Sequence, residues 1–291
     1  MNILVIGSGA REHAICYSIC QSSKLSKLHV IPGNYGISKL AECHSLDINN
    51  FDEIYGFSIK KQIDLIVVGP EVPLVNGIVD FFTSRKIKIF GPNQFAAQLE
   101  GSKSFMKDLC KEYNIPTAGY EKFNNSNAAI EYLETQIFPI VIKADGLAAG
   151  KGVTIAEDFE TASNAVQDIF NNKFGENMDV VIEEFMSGEE ASYFVCSDGK
   201  NFISMISAQD HKRIGDNDTG PNTGGMGAYS PAPIFSEKVK KQVDKEIIKP
   251  TIKAMIHKGY PFKGILYAGL MIENEKARLV EYNIRFGDPE C

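Results

Sequence analysis

Short apolar runs recur along the first ninety residues, each closed by glycine or proline and parted from the next by helical spacing. Residues 2–7 (NILVIG) predict a buried strand, and the chain from Gly9 predicts a helix to about Gln21. Leu28 to Ile31, Ile63 to Val68 and Ile87 to Phe90 predict three more strands, running into Pro32-Gly33-Asn34, Gly69-Pro70-Glu71 and Gly91-Pro92. Strands alternating with helices predict a parallel sheet in an α/β fold, whose ligands bind beyond the carboxyl ends of the strands. Arg11, Asn34 and Glu71 then face one crevice. A cation at a helix start opposes the helix dipole, so Arg11 points to an anionic ligand.

Beyond Gly91 the pattern changes. Gln94 to Tyr113 predicts one helix, stopped at Ile115-Pro116-Thr117, and Ala128–Leu133 and Glu160–Phe170 predict two more. Val180 to Phe185 predicts a strand whose paired Glu183 and Glu184 beside an apolar run suggest a connection between lobes. Another strand runs from Gly188 through Phe194-Val195. Gln209 to Pro231 holds five glycines, almost no core residues and no predicted regular structure; at that length inside a compact protein such a segment is functional or disordered, and Met226 and Tyr229 favour function. Gly264–Ile272 and Leu279–Arg285 predict a hairpin. Alternation along its second strand puts Glu281, Asn283 and Arg285 on one face.

Two stretches carry the chemistry. Ile140-Val141-Ile142 ends in Lys143, and Gly146, Gly150, Lys151 and Gly152 follow. Glycines let backbone N–H groups approach a polyphosphate, and lysines add charge without fixing one geometry. The spacing is not that of a P-loop, because three residues, not four, separate Gly146 from Gly150-Lys151, and β-branched residues rather than a helix come next. The stretch predicts strand, loop, strand: a flap that closes over a nucleotide. On the Glu281-Asn283-Arg285 face, a carboxylate and an amide oxygen are hard ligands for magnesium, and the arginine can brace an anionic transition state. One explanation covers both stretches, namely ATP held between a flap and a metal-bearing strand.

Composition narrows this further. The chain of 291 residues is 44% hydrophobic and 23% charged, enough for two or three core-bearing units, and its net charge of −7 argues against a nucleic-acid surface. The opening run is too short and lacks the basic start of a secretory signal, and no stretch approaches a membrane span; the expectation is a cytoplasmic protein acting on small molecules. Six cysteines without a CxxC pair predict reduced, structural thiols. Gly7-Ser8-Gly9-Ala10-Arg11-Glu12 approaches a dinucleotide fingerprint, but Glu12 replaces the third glycine and no acidic residue follows at ribose spacing.

The residues Gly9 to His13, Val68 to Leu74, Leu99 to Lys103, Lys143 to Val153, Gln209 to Pro231 and Arg285-Phe286-Gly287-Asp288-Pro289-Glu290 together resemble the ATP-grasp ligases, and within them the glycinamide ribonucleotide synthetase family. The resemblance runs from Met1 to Cys291. It implies an N-terminal substrate domain, 1–101, and an ATP-grasp domain, 102–291, of two α+β lobes, with a mobile lobe at about 118–187. The implied reaction has ATP phosphorylate the carboxylate of glycine and the amine of 5-phosphoribosylamine attack the glycyl phosphate, within purine biosynthesis.

By the same resemblance Lys103, Lys143, Gly150, Lys151 and Gly152 hold the phosphates, Glu183, Glu184, Phe185 and Met186 frame the adenine, and Glu190 takes the ribose. Glu281 and Asn283 carry Mg2+ or Mn2+, and Arg285 and Asp288 are the catalytic pair. Asp210, Lys212, Asn222 and Gly225 close over glycine and amine; Gly9, Arg11, Asn34 and Glu71 take the phosphoribosyl group. Related enzymes place a further metal carboxylate twelve residues before the first, where this chain has Gly269. The family has a further C-terminal domain over the site, with which this chain is expected to make contact. If the polypeptide ends at Cys291, the expectation is an exposed apolar patch near Leu266 to Ile272 and weak ligase activity. The other readings are a different ATP-grasp ligase or carboxylating enzyme, and a non-catalytic ATP-binding module.

Overall fold

The computed structural model describes residues 1–147, 152–176, 178–211, 213–216, 219–223 and 225–291. Its first unit comprises β1 (Asn2–Gly7), α1 (Ala10–Cys20), β2 (Lys27–Pro32), β3 (Glu42–Cys43), α2 (Phe51–Lys60), β4 (Leu65–Val68), α3 (Glu71–Val75), α4 (Ile78–Ser84) and β5 (Ile89–Phe90). The five strands pair in parallel in the order β3-β2-β1-β4-β5, as strands alternating with helices require. Side chains alternate between the two faces. Ile3, Val5, Leu28 and Val30 pack with Cys16 and Ile37, while Leu4, Ile6 and Ile31 join Ile66 and Phe82. The two-residue edge strand β3 is an addition to the four strands the pattern predicts.

The helix expected over Gln94 to Tyr113 is two helices, α5 (Gln98–Gly101) and α6 (Lys103–Glu112). The break is at Ser102, which leaves helical geometry (φ −140°, ψ 116°) and caps α6 by accepting the Phe105 N–H on its Oγ. The same hydroxyl donates to Asp145 at 3.2 Å. Apolar spacing runs through the break, which is why it does not show in the pattern.

A second sheet follows from β6 (Tyr120–Phe123), α7 (Ser126–Leu133), β7 (Ile140–Ala144), β8 (Val153–Ala156), α8 (Phe159–Phe170) and β9 (Val180–Glu184). Its order is β6-β9-β7-β8, antiparallel throughout. Lys143 pairs with Val153 across β7 and β8, so the glycine-rich stretch joins two strands and no helix follows Gly152. One face carries α7 and α8 through Leu133, Val166 and Ile169. β9, expected as a lobe-connecting segment rather than a plain core strand, is an internal strand of this sheet with Glu183 buried, and residues 185–188 lead from it into the third unit.

The third unit contains β10 (Glu189–Asp198), β11 (Phe202–Ser204), β12 (Gln209–Asp210), β13 (Arg213–Gly215), β14 (Thr219–Asn222), β15 (Ala228–Tyr229), α9 (Glu237–Val243), α10 (Lys249–His257), β16 (Lys263–Glu273) and β17 (Lys276–Asn283), with a π-helical stretch Asp244–Ile248 joining α9 to α10. The sheet order is β11-β10-β16-β17. The segment 209–231 is more regular than expected: β12 pairs with β15, and β13 with β14. The apolar patch expected at Leu266 to Ile272 is absent, because β16 lies between β10 and β17, and Leu266, Ala268, Leu270 and Ile272 are buried in the same core as Leu4 and Ile6. Among the described residues no helix is long and apolar enough to cross a membrane, and all six cysteines are unpaired.

Candidate active site

Three buried charges come together between α6, β7 and β9. Lys107, one turn after Lys103 on α6, donates to Glu183 at 2.8 Å and to Thr117 Oγ1 at 2.9 Å; Lys143, on β7, meets the other Glu183 oxygen at 3.0 Å. Two ammonium groups against one carboxylate leave one net positive charge out of water, an arrangement that a bound anion would compensate. Burial holds the pKa of Lys107 below its usual value, with Glu183 pulling the other way. Lys103 is likewise lowered by burial, and its Nζ donates to Gly146 O at 2.8 Å, linking α6 to the start of the flap.

Of the 183–186 stretch, whose backbone and carboxylates are expected to frame the adenine, the two carboxylates are engaged within the protein. The Glu183 carboxylate is taken by two lysines and lies inside the sheet. Glu184 accepts the Gly119 N–H at 3.0 Å and pairs with Arg278, fastening β9 to β17. Phe185 is exposed and Met186 buried in the connection to β10. Lys107 has no place in the sequence reading; its only signal there is the four-residue spacing from Lys103, which sets both on one helix face.

On β17 the register gives Glu281 opposite Gly269 but Leu279 opposite Leu270, so Val280 forms a bulge. A Cβ on Gly269 would stand 3.4 Å from Glu281 Cγ, an ordinary contact distance, so Gly269 and Glu281 are direct neighbours across the two strands. Arg285 lies two residues beyond the strand end, and its side chain joins those of Glu281 and Asn283 in one cleft, as the alternation predicts. Its Nη2 donates to Asn283 Oδ1 at 3.0 Å and to Glu100 at 2.9 Å, and its Nε reaches Glu71 at 3.3 Å. Glu100 also accepts the Ile284 N–H at 2.8 Å. Burial raises the Glu100 carboxyl to about 7, Arg285 opposing that rise. The sequence reading missed Glu100 as a site residue; a carboxylate between Leu99 and Gly101 on an otherwise core-facing helix was the available signal.

A cleft of about 330 Å³ brings together Glu71, Lys103, Lys143, Gly152, Glu190, Asp210, Gly225, Glu281, Asn283, Arg285 and Asp288, with Glu100 and Glu290 as additions. Gly225 has φ +94°, and a Cβ there would lie 2.5 Å from Pro289 Cδ, so only glycine lets the 209–231 segment sit on the 285–290 turn. Glu290 accepts from Tyr267 at 2.8 Å and Ser192 at 3.0 Å, pinning that turn to β16 and β10. Gly150, Lys151 and Lys212 lie outside the described residues, as does the Asn222 side chain.

Gly9, Arg11 and Asn34 do not line the cleft. Gly9 and Arg11 abut it through Asp288, whose Oδ2 accepts the Arg11 N–H at 3.3 Å. The Arg11 guanidinium, expected to meet an anionic ligand, is buried against Glu12 at 2.6 Å. Glu12 also accepts the Gly9 N–H at 2.6 Å, and Gly7 and Gly69 make room for it: a Cβ on either would come within 2.5 Å of its side chain. The third glycine is thus replaced by a capping carboxylate with its own space. Asn34 is engaged structurally, donating to Ser8 O and accepting the Ile37 N–H, each at 2.8 Å.

Glu281 and Asn283 present a carboxylate and an amide oxygen two residues apart in this cleft, a hard-oxygen donor set that fits Mg2+ or Mn2+. Asn283 Oδ1 keeps a second lone pair after accepting from Arg285. A parallel-sheet unit, an antiparallel lobe bearing a glycine-rich hairpin, and a second antiparallel sheet with this donor set define an ATP-grasp protein.

The chain matches the family model described as phosphoribosylglycinamide synthetase, N domain, over residues 1–100 and the ATP-grasp (A) domain of the same synthetase over residues 101–291; it belongs to the phosphoribosylglycinamide synthetase family. It is 51% identical over 292 residues to the phosphoribosylamine–glycine ligase of Rhizobium meliloti, covering all of this chain and 69% of that one. The Pseudomonas aeruginosa enzyme of the same name is 50% identical over 295 residues, with coverage of 100% and 68%. Among solved structures, phosphoribosylamine–glycine ligase from Thermotoga maritima superposes with a TM-score of 0.86 at 32% identity, covering 100% of this chain and 70% of that one. Campylobacter jejuni biotin carboxylase, in its beta-gamma-ATP complex, gives 0.77 at 18% identity over 100% of this chain and 66% of its own, a likeness of fold alone.

Proposed function

We infer that the protein joins glycine to 5-phosphoribosylamine at the expense of ATP, giving glycinamide ribonucleotide, ADP and phosphate in purine biosynthesis. The observation that carries this reading is that one cleft, in a chain of this family, gathers two lysines, a carboxylate and an amide oxygen two residues apart, and the turn that seats the 209–231 segment. ATP would lie along Lys103 and Lys143 under Gly152, with Glu190 toward the ribose, and Mg2+ or Mn2+ on Glu281 and Asn283 would neutralise phosphate charge. The γ-phosphoryl group passes to a glycine carboxylate oxygen. The amine nitrogen then attacks the carbonyl carbon, and the C–O bond to phosphate breaks as the nitrogen loses a proton.

Arg285, held by Glu71, Glu100 and Asn283, is set to steady the acyl phosphate, which is positioning and charge compensation rather than covalent catalysis. Asp288, with Asp210 and Gly225, would orient glycine and amine, and the phosphoribosyl group would occupy the space beside Glu71, bounded by Gly9 and Arg11. The lobe at about 118–187 is proposed as the moving part of the ATP-grasp domain, with residues 1–101 as the substrate domain. The test is ADP release by the purified protein with Mg2+. Release that needs both glycine and phosphoribosylamine is expected. Release driven by bicarbonate, or ATP binding with no release when both are supplied, would replace this reading with a carboxylating enzyme or a non-catalytic module respectively.

A further inference from the structure

Away from the cleft, on the edge of the N-terminal sheet, three ligand-type side chains converge. β3 pairs in parallel with β2 so that His29 stands beside Glu42, and His44 N–H extends the ladder to Val30 O at 2.9 Å. Glu42 and His44 are two apart, so both leave the same face of the edge as His29. His29 Nδ1 lies 3.0 Å from His44 Nε2 and 3.3 Å from Glu42 Oε2, and His44 Nε2 lies 3.9 Å from that same oxygen. The Phe57 ring, from α2, packs on both imidazoles, with centroids 5.7 and 4.5 Å away.

We propose that His29, Glu42 and His44 form a binding site for a divalent transition-metal ion of the zinc type. Zinc bonds of about 2.0–2.1 Å in a tetrahedron put neighbouring ligand atoms roughly 3.3 Å apart. The observed edges of 3.0, 3.3 and 3.9 Å bracket that value, so movements of a few tenths of an ångström bring all three onto one ion. Two imidazoles and one carboxylate select zinc, cobalt or nickel over magnesium, which separates this site chemically from the oxygen donors Glu281 and Asn283. His29 is 1% exposed and already fixed, while Glu42 is more than half exposed, so ions have access to a partly organised site. A water completes the tetrahedron. His29 must then carry its ring proton on Nε2, a buried atom without a hydrogen-bond partner, and that cost bounds the affinity.

Lys61 opposes the ion. Its Nζ is 3.5 Å from Glu42 Oε2, where an ammonium takes the place of the metal as the carboxylate's counter-charge. Binding displaces it toward solvent. The consequence is a clip: the ion ties a two-residue edge strand and its following loop to β2, where only a short ladder holds them.

The test uses chelator-treated protein in excess Mg2+, titrated with Zn2+ and, for its visible spectrum, Co2+. One ion per chain, a tetrahedral Co2+ absorption band and a saturable rise in melting temperature are expected. Glu42→Gln and His44→Gln, both at partly exposed positions, should weaken binding by about tenfold or more, and Lys61→Met should tighten it. Absence of stoichiometric binding, or binding that the two ligand variants retain, would overturn the proposal. So would a Lys61→Met affinity equal to or weaker than that of the unaltered protein.

Discussion

At the residue scale the site is defined by which charges lie buried beside one another. In the proposed reaction Glu281 would offer a charged oxygen to the metal, so Glu281→Gln should lower kcat by roughly two to three orders of magnitude, the usual loss for one preorganised charge contact. Steady-state ADP release measures it, and an unchanged rate would remove Glu281 from the metal site. Glu100 gives a pH dependence. Its carboxyl holds a proton up to about 7 in the fold but only to about 4.5 when exposed, so between those values the folded state binds more protons than the unfolded chain. Stability from this group is therefore full below pH 4.5 and is lost as pH rises toward 7, at up to about 1.4 kcal/mol per unit. Urea unfolding at a series of pH values should show a shallower decline for Glu100→Gln; parallel curves for the two proteins would contradict it.

At the element scale, legibility followed size and apolar content. The apolar strands β1, β2, β4, β7, β9, β10, β16 and β17 are readable as alternating or continuous apolar runs, and β7-loop-β8 because β-branched residues follow Gly152. The two central charges of β6 (YEKF), by contrast, leave no apolar run to show it. The edge strand β3 and the pairs within 209–231 are not readable either, since two to four polar residues leave no periodicity to detect. The Ser102 break was hidden because apolar spacing continues through it, yet it sets Glu100 and Lys103 into the same cleft. Ser102→Ala should cost about 1 kcal/mol through the lost cap, read as a lower urea midpoint; an unaltered midpoint would mean the cap contributes nothing. Gly225→Ala forces a side chain into Pro289 and an unfavourable φ. It should lower kcat/KM roughly ten- to hundredfold by displacing the 209–231 segment, with little change in melting temperature. Wild-type kcat/KM in that variant would show the segment does not need this seat.

At the scale of the whole molecule, the site depends on parts far apart in the chain. Arg285 is held by Glu71 and Glu100, Asp288 meets the Arg11 N–H, and Glu183 balances lysines from α6 and β7. The candidate chemistry was legible in Lys143, Glu281, Asn283 and Arg285 because residue type and local spacing reveal it. The supports, Lys107, Glu100, Glu12 and Glu290, were not, because their partners are set by tertiary folding. The central claim is that the carboxylate of glycine is activated by phosphorylation in this cleft. Glycine labelled with ¹⁸O in its carboxylate tests it most directly, by mass analysis of the inorganic phosphate released. One labelled oxygen in each phosphate is predicted, because the C–O bond to phosphate breaks when the amine attacks; phosphate free of label would contradict the account.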